Sequence, residues 1–188
     1  MTASTNAPLY AGLAFFAPEV VYMLFGSKWT GSVDLLRILA VWGFLRSAGN
    51  PVGSLLMGMG RASLAMKWNF AMIFIVPPAL WTGSRFGAEG LAWALLGLSF
   101  VMFIPGWYIL VRPLCHASLL EYSSAALKPM LIAGVAVASA YFLSSHIESS
   151  PLRLTVGIAL AAPLYWGISC KVNRDWVNAM LRLAWGGD

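Results

Sequence analysis

Long apolar runs alternate along the chain with short polar separators, and the runs have the length of bilayer-crossing helices. About 20 apolar residues cross a hydrocarbon core as a helix. Six runs fit that measure: Pro8–Phe25, Val33–Met57, Leu64–Thr82, Gly87–Val111, Ala125–Ser144 and Leu152–Cys170. The separators Gly26-Ser27-Lys28, Gly58-Met59-Gly60-Arg61, Gly83-Ser84-Arg85, Arg112-Pro113 and Ser149-Ser150-Pro151 carry the residues that punctuate helices. Pro18-Glu19 interrupts the first run. The pattern predicts an all-α polytopic membrane protein, with residues 1–170 forming a transmembrane lobe of about six helices.

Residues 171–188 differ in kind, being too short and too charged to span. Trp176, Val177, Met180, Leu181, Ala184 and Trp185 recur at helical spacing, opposite Arg174, Asn178 and Arg182. That spacing predicts an amphipathic tail lying in the headgroup region. A partly ordered tail is the alternative.

Composition narrows the class further. The 188 residues are 60% hydrophobic and 10% charged, with a mean hydropathy of +0.76; a disordered chain and a single water-soluble globule are both excluded. Two cysteines, Cys115 and Cys170, make no disulfide framework and no metal-ligand set. His116 and His146 have no acidic or cysteine partner at ligand spacing, and no GxSxG, HExxH, phosphate-binding glycine loop or hydrolytic acid pair is present. The residues therefore predict no enzyme, metal or cofactor. The net charge of +5 comes from basic residues scattered singly between apolar runs, which orients loops and meets headgroups rather than binding nucleic acid. With six spans, one side holds Arg61, Lys67, Arg112, Lys128, Lys171, Arg174 and Arg182, and the other Lys28, Arg85 and Arg153. This asymmetry predicts cytoplasmic termini.

The second run holds most of the ionisable residues found inside spans: Asp34, Arg37 and Arg46, with Asn50 and Pro51. A charge at the bilayer centre costs about 2.5–3.5 kcal/mol on insertion scales, so it faces protein or water rather than lipid. At 100° per residue, Arg46, Asn50, Gly53, Ser54 and Met57 share one side, with Gly43 and Ser47 beside them. Two readings follow. In one, the helix lines a water-filled cavity where Arg46 contacts an anionic substrate, aided by Asn50, Ser47 and Ser54. In the other, the small residues allow close helix packing and a neighbour's carbonyls satisfy Arg46. Asp34 and Arg37, three residues apart near the membrane boundary, are expected to form a local ion pair. Glu19 is a candidate for coupling a proton or cation to transport, or for pairing with Arg46; it equally suits a helix break near the interface. Gly90 and Ala94, Gly134 and Ala138, and Gly157 and Ala161 are small pairs suited to tight helix contacts.

The order of local patterns is distinctive. Leu24-Phe25-Gly26-Ser27-Lys28-Trp29 precedes Asp34-Leu35-Leu36-Arg37-Ile38-Leu39-Ala40, then Leu55-Leu56-Met57-Gly58-Met59-Gly60-Arg61, then Gly87-Ala88-Glu89-Gly90-Leu91-Ala92-Trp93-Ala94 and Arg112. From Pro8 to Ser144 this resembles the C-terminal portion of polysaccharide and O-antigen flippases. The resemblance is to the colanic-acid-exporter-like branch of the multidrug/oligosaccharidyl-lipid/polysaccharide exporter superfamily.

The resemblance implies a multi-pass protein of the bacterial inner membrane that transports undecaprenyl-linked oligosaccharide in polysaccharide or lipopolysaccharide biosynthesis. It implies two six-helix lobes around a cavity whose cations meet the carrier's pyrophosphate. Family members are about twice as long, so Met1 is expected to be a truncated or misassigned start. The missing N-terminal lobe, or a second copy, would then be the partner. The family arrangement also makes the first run the second helix of its lobe, which inverts the orientation read from loop charge. The alternatives are a multidrug-exporter-like transporter of the same superfamily, which wants an acid deep in its cavity, and a non-transporting assembly subunit.

Overall fold

The computed structural model describes residues 1–184, and among them there is no strand. The first predicted span is a broken helix. Helix α1 (Thr2–Phe15) meets α2 (Ala17–Phe25) at a 77° bend. The break falls at Phe16, buried to 1% exposure, with Pro18 in the first turn of α2. Proline suits a helix start because its missing N–H has no partner there anyway. The bend seats the Phe16 ring against α8 (Ser150–Val172): a Cβ on Gly157 would lie 2.5 Å from Phe16 Cε1. Only a glycine admits that approach.

A 3₁₀ turn (Ser27–Ser32) leads to α3 (Val33–Gly58), which stays helical through Pro51. Its 26 residues extend about 39 Å, enough for the hydrocarbon core. Helix α4 (Ala62–Ser84) returns, and α5 (Gly87–Gly106) runs back beside it. A Cβ on Gly83 would lie 2.7 Å from the Gly90 carbonyl oxygen and 2.6 Å from Ala94 Cβ, so the pair Gly90 and Ala94 does mark a close crossing. Gly134, by contrast, has open space around it.

After Pro105-Gly106 the backbone continues as a π segment (Trp107–Val111) and a short α6 (Arg112–Cys115). Its end is pinned where Trp107 Nε1 donates to the Ala117 carbonyl at 3.0 Å. Helix α7 (Leu119–Ser144) starts six residues before the predicted Ala125. Ser118 and Glu121 form a reciprocal capping box that satisfies the first orphan N–H groups.

Packing follows chain order only in part. Helix α1 is wedged between α3 and α7, α7 packs on α8, and α4 reaches the bundle chiefly through α5. One core joins Ala7, Phe44, Ala133, Ala136, Tyr165 and Trp176; a smaller one joins Ile38, Ala92 and Leu96. Helix α4 lies outermost, with Gly83 its one buried residue.

The six expected spans resolve differently by apolarity. Helices α4, α7, α8 and the run Gly87–Cys115 are each long and apolar enough to cross a membrane, and the bent α1–α2 pair makes a fifth. Helix α3 has the length but carries Asp34, Arg37 and Arg46, and it falls short on apolarity. The protein is an all-α, multi-pass membrane protein.

Helix α9 (Arg174–Ala184) covers most of the amphipathic tail. Its apolar face docks on protein: Trp176 and Val177 are buried, and Trp176 Nε1 donates to Thr5 Oγ1 at 3.2 Å. Tyr165 donates to the Ser4 carbonyl, and Asn173 Nδ2 to Ser4 Oγ at 2.9 Å. These bonds put the start of α1, the end of α8 and α9 at one end of the bundle. Trp185, part of the predicted apolar face, lies outside the described residues.

Candidate functional site

The polar side of α3 faces an open cleft between α3, α4 and α5. Two hollows make up this cleft, of about 310 and 390 Å³, each within the size range of small-molecule sites. They share Arg46, Trp68, Asn69, Ser99 and Met102, so they meet at a waist where the guanidinium stands. Helix α3 supplies Arg46, Gly49, Asn50 and Gly53, whose spacing puts them on one face. The third span contributes Trp68 and Asn69. Across from them stand Ser99 and Met102 of α5 and Gly106 at the entry to the π segment.

Arg46 is exposed to this cleft. Among the described residues it makes no ion pair or hydrogen bond, and no other lining residue is charged. Thirteen residues after Val33 in a 26-residue helix, it stands about 20 Å along the axis from either end; in a helix that crosses the bilayer, a lone charge at that depth is most costly. A guanidinium there needs water or an anion, and it offers a forked donor set that matches phosphate oxygens. Asn50 and Asn69 add amide donors and acceptors without charge.

The other residues singled out by sequence fall elsewhere. Ser47 is buried and its hydroxyl donates to the Phe44 carbonyl of the same helix at 3.0 Å. Gly43, four residues before it, lies against α1: a Cβ there would meet Tyr10 Cε1 at 2.6 Å. Ser54 is exposed but outside the cleft lining. The small-residue stripe is thus divided, with Arg46, Asn50 and Gly53 in the cleft and Gly43 and Ser47 on the flank covered by protein.

Glu19 pairs with Arg153 of α8, not with Arg46. Arg153 Nη1 lies 3.1 Å from Glu19 Oε1 in an ion pair, and its guanidinium also lies 4.5 Å from the Tyr141 ring centre. Glu19 is buried, and its second carboxylate oxygen has no partner among the described residues. Arg37 Nη1 donates to Asp34 Oδ1 at 2.9 Å on an exposed face of α3.

Trp68 and Asn69 come from the third run, whose sequence carries no sign of a cleft wall. In the fold Trp68 is half-buried, packed 3.8 Å from the position of a Gly106 Cβ and beside Leu56, Leu110 and Leu114. Phe103 and Tyr122 stack at 4.9 Å between centroids and close the far wall. No group of metal-ligating side chains occurs among the described residues.

The chain is 29% identical over 187 residues to the teichuronic acid biosynthesis protein TuaB of Bacillus subtilis, covering 97% of the chain and 38% of that protein. It is 33% identical over 118 residues to the lipopolysaccharide biosynthesis protein WzxC of Escherichia coli, covering 62% of the chain and 24% of that protein. It is 23% identical over 194 residues to the succinoglycan biosynthesis transport protein ExoT of Rhizobium meliloti, at 95% and 37% coverage. No protein-family model and no solved structure matches. The chain is therefore similar to proteins of bacterial polysaccharide and lipopolysaccharide biosynthesis, one of them a transport protein. It spans well under half the length of these relatives.

Proposed function

We propose that the chain forms one lobe of an exporter for a lipid-linked oligosaccharide in the bacterial inner membrane, serving polysaccharide or lipopolysaccharide biosynthesis. The observation that carries this reading is Arg46: an unpaired guanidinium at mid-helix depth, facing an open cleft with no acid in its lining. An undecaprenyl carrier presents phosphate oxygens to that group and hydroxyl-rich sugars to Asn50 and Asn69. The chemistry is non-covalent; binding at Arg46 and rearrangement of the helices would move the headgroup. A second lobe, encoded elsewhere in the protein or supplied by another copy, would form the opposite wall.

A multidrug-exporter-like role has less support, because its candidate acid, Glu19, is held by Arg153 away from the cleft. A purely structural role predicts that the Arg46 face packs dry, whereas Arg46 and Asn50 are exposed. Orientation follows the basic residues: Arg61, Arg112, Lys171 and Arg174 belong to the end that carries α9, so that end would be cytoplasmic.

The test is binding of farnesyl phosphate to the chain reconstituted in vesicles, with uncharged farnesol as control. Arg46→Gln is expected to weaken farnesyl phosphate binding by about tenfold, equivalent to about 1.4 kcal/mol, and to leave farnesol unchanged. Equal affinity for both ligands in both proteins would overturn the assignment.

A further inference from the structure

Helix α2 is apolar to its end, yet its last turn touches little protein. Tyr22, Met23, Leu24 and Phe25 occupy successive positions, so they point to all sides of the helix, and each is 48–71% exposed. In the 3₁₀ turn that follows, Trp29 is also exposed and tilts against Phe25, with 6.1 Å between ring centres. Lys28 beside it is exposed and makes no ion pair among the described residues.

The depth of this helix end follows from its neighbours. Helix α1 is wedged between α3 and α7, two helices of bilayer-crossing length, so the 77° bend lays α2 nearly along the membrane plane. At the bend, the Phe16 ring meets Gly157, seven residues after the start of α8, and Tyr141, three residues before the end of α7. At 1.5 Å per residue, these contacts put the bend about 5–10 Å inside the end of the bundle. Helix α1 starts at the α9 end, and its 14 residues measure about 21 Å. That length and the remaining depth together make up a hydrocarbon core of about 30 Å.

From these placements we infer that α2 is an in-plane interfacial helix, whose partner is the headgroup–acyl boundary of the leaflet opposite α9. A helix lying on a membrane sinks about 5–10 Å into that boundary, the depth at which the bend stands. The side chains suit this level. The Tyr22 phenol and Trp29 indole are amphipathic rings of the kind that collect there, and Lys28 can lay its stem along apolar surface while its ammonium reaches the phosphates. The opposite side of α2 is turned to the bundle: Ala17 and Val21 are buried, and Glu19 meets Arg153. A carboxylate at this depth needs such a partner. The broken pair therefore crosses once, through α1, and ends as an anchor in the far leaflet before α3 returns. This placement holds whatever ligand the cleft binds.

The experiment uses the whole chain, with Cys115 and Cys170 replaced by serine, in vesicles of phosphatidylcholine and phosphatidylglycerol. A nitroxide is attached in turn to Tyr22→Cys, Leu24→Cys and Phe25→Cys, and its depth is read from collisions with oxygen against those with a water-soluble nickel complex. Phe70→Cys and Ile73→Cys, both 62% exposed on α4, give the ruler of a crossing helix, and Glu148→Cys in the α7–α8 loop gives the value for water. All three α2 labels are expected about 5–10 Å below the phosphates. Tyr22 and Phe25 should agree in depth to about 1 Å, whereas Phe70 and Ile73 should differ by about 4.5 Å. A step of about 4.5 Å between Tyr22 and Phe25 would make α2 part of a crossing and overturn the assignment. Nickel collisions equal to those at Glu148→Cys would overturn it too, by placing the helix end in water. So would labels silent to both collision partners, which would mean a protein cover such as a second copy. The unmodified chain gives a second reading that needs no substitution. A lipid with a diazirine near its headgroup should label Tyr22–Phe25 more than one with the diazirine at the acyl end, and the reverse order would contradict an interfacial helix.

Discussion

Glu19 of α2 and Arg153 of α8 are bound through a 3.1 Å contact in which the carboxylate side chain is 5% exposed and the guanidinium 22% exposed. The pair ties the far side of the 77° bend to the opposite helix, while the Phe16 ring fills the notch at Gly157. A charged pair in this position holds the broken helix in one arrangement, because neither charge has another ion-pair partner among the described residues, and Arg153 has only the Tyr141 ring besides. Removing one partner strands the other, at a cost of about 3–5 kcal/mol.

Arg153→Ala is therefore expected to destabilise the folded protein by about 3–5 kcal/mol. The double substitution Glu19→Gln with Arg153→Gln should cost clearly less than the sum of the two single changes. Chemical unfolding in mild detergent, followed by tryptophan fluorescence, measures both. Additive costs would show that the two side chains do not act as a pair.

Glycine spacing separates tight contacts from open ones. Gly157→Ala should overpack the Phe16 notch and cost about 1–3 kcal/mol, and Gly83→Ala should do the same at the α4–α5 crossing. Gly134→Ala, in open space on α7, should be neutral or slightly stabilising, because alanine is the better helix former by about 1 kcal/mol. Thermal unfolding of the three variants side by side checks the ranking; equal losses would contradict the packing described.

Trp176 carries the docking of α9. It contacts Tyr165 and Trp166 edge-on at 5.6 and 5.7 Å and donates to Thr5. Trp176→Ala should cost about 3–5 kcal/mol and expose α9 to protease between Val172 and Arg174. Leu183→Ala, on an exposed position, should do neither. Equal protease resistance in the two variants would mean that α9 is held by the lipid surface rather than by α1 and α8.

Much of this architecture can be read from sequence because the bilayer sets one length for every crossing and leaves few ways to satisfy a charge. The runs of Leu64–Thr82 and Leu152–Cys170 reappear as α4 and α8 with ends shifted by two residues. The face of Arg46, Asn50 and Gly53 follows from helical periodicity alone. What periodicity cannot supply is the neighbour. Gly43 and Ser47 sit one notch round the helix, and their environment depends on where Tyr10 of α1 lies. Arg153 reads as a loop cation because it follows Ser149-Ser150-Pro151, yet the bend at Phe16 brings a carboxylate to it. Trp68 and Asn69 join the cleft only because α5 doubles back along α4. The earlier start of α7 did have a visible signal, the Ser118-Leu119-Leu120-Glu121 capping pattern.

The central claim is that position 46 is wet. In a chain with Cys115 and Cys170 replaced by serine, Arg46→Cys and Asn50→Cys should react with a membrane-impermeant, anionic thiol reagent at rates within about tenfold of an exposed loop cysteine, as expected for a water-filled intramembrane cavity. Phe44→Cys, buried against α1 and α7, should remain unlabelled. Protection of positions 46 and 50 equal to that of position 44, in vesicles and in detergent alike, would contradict the account.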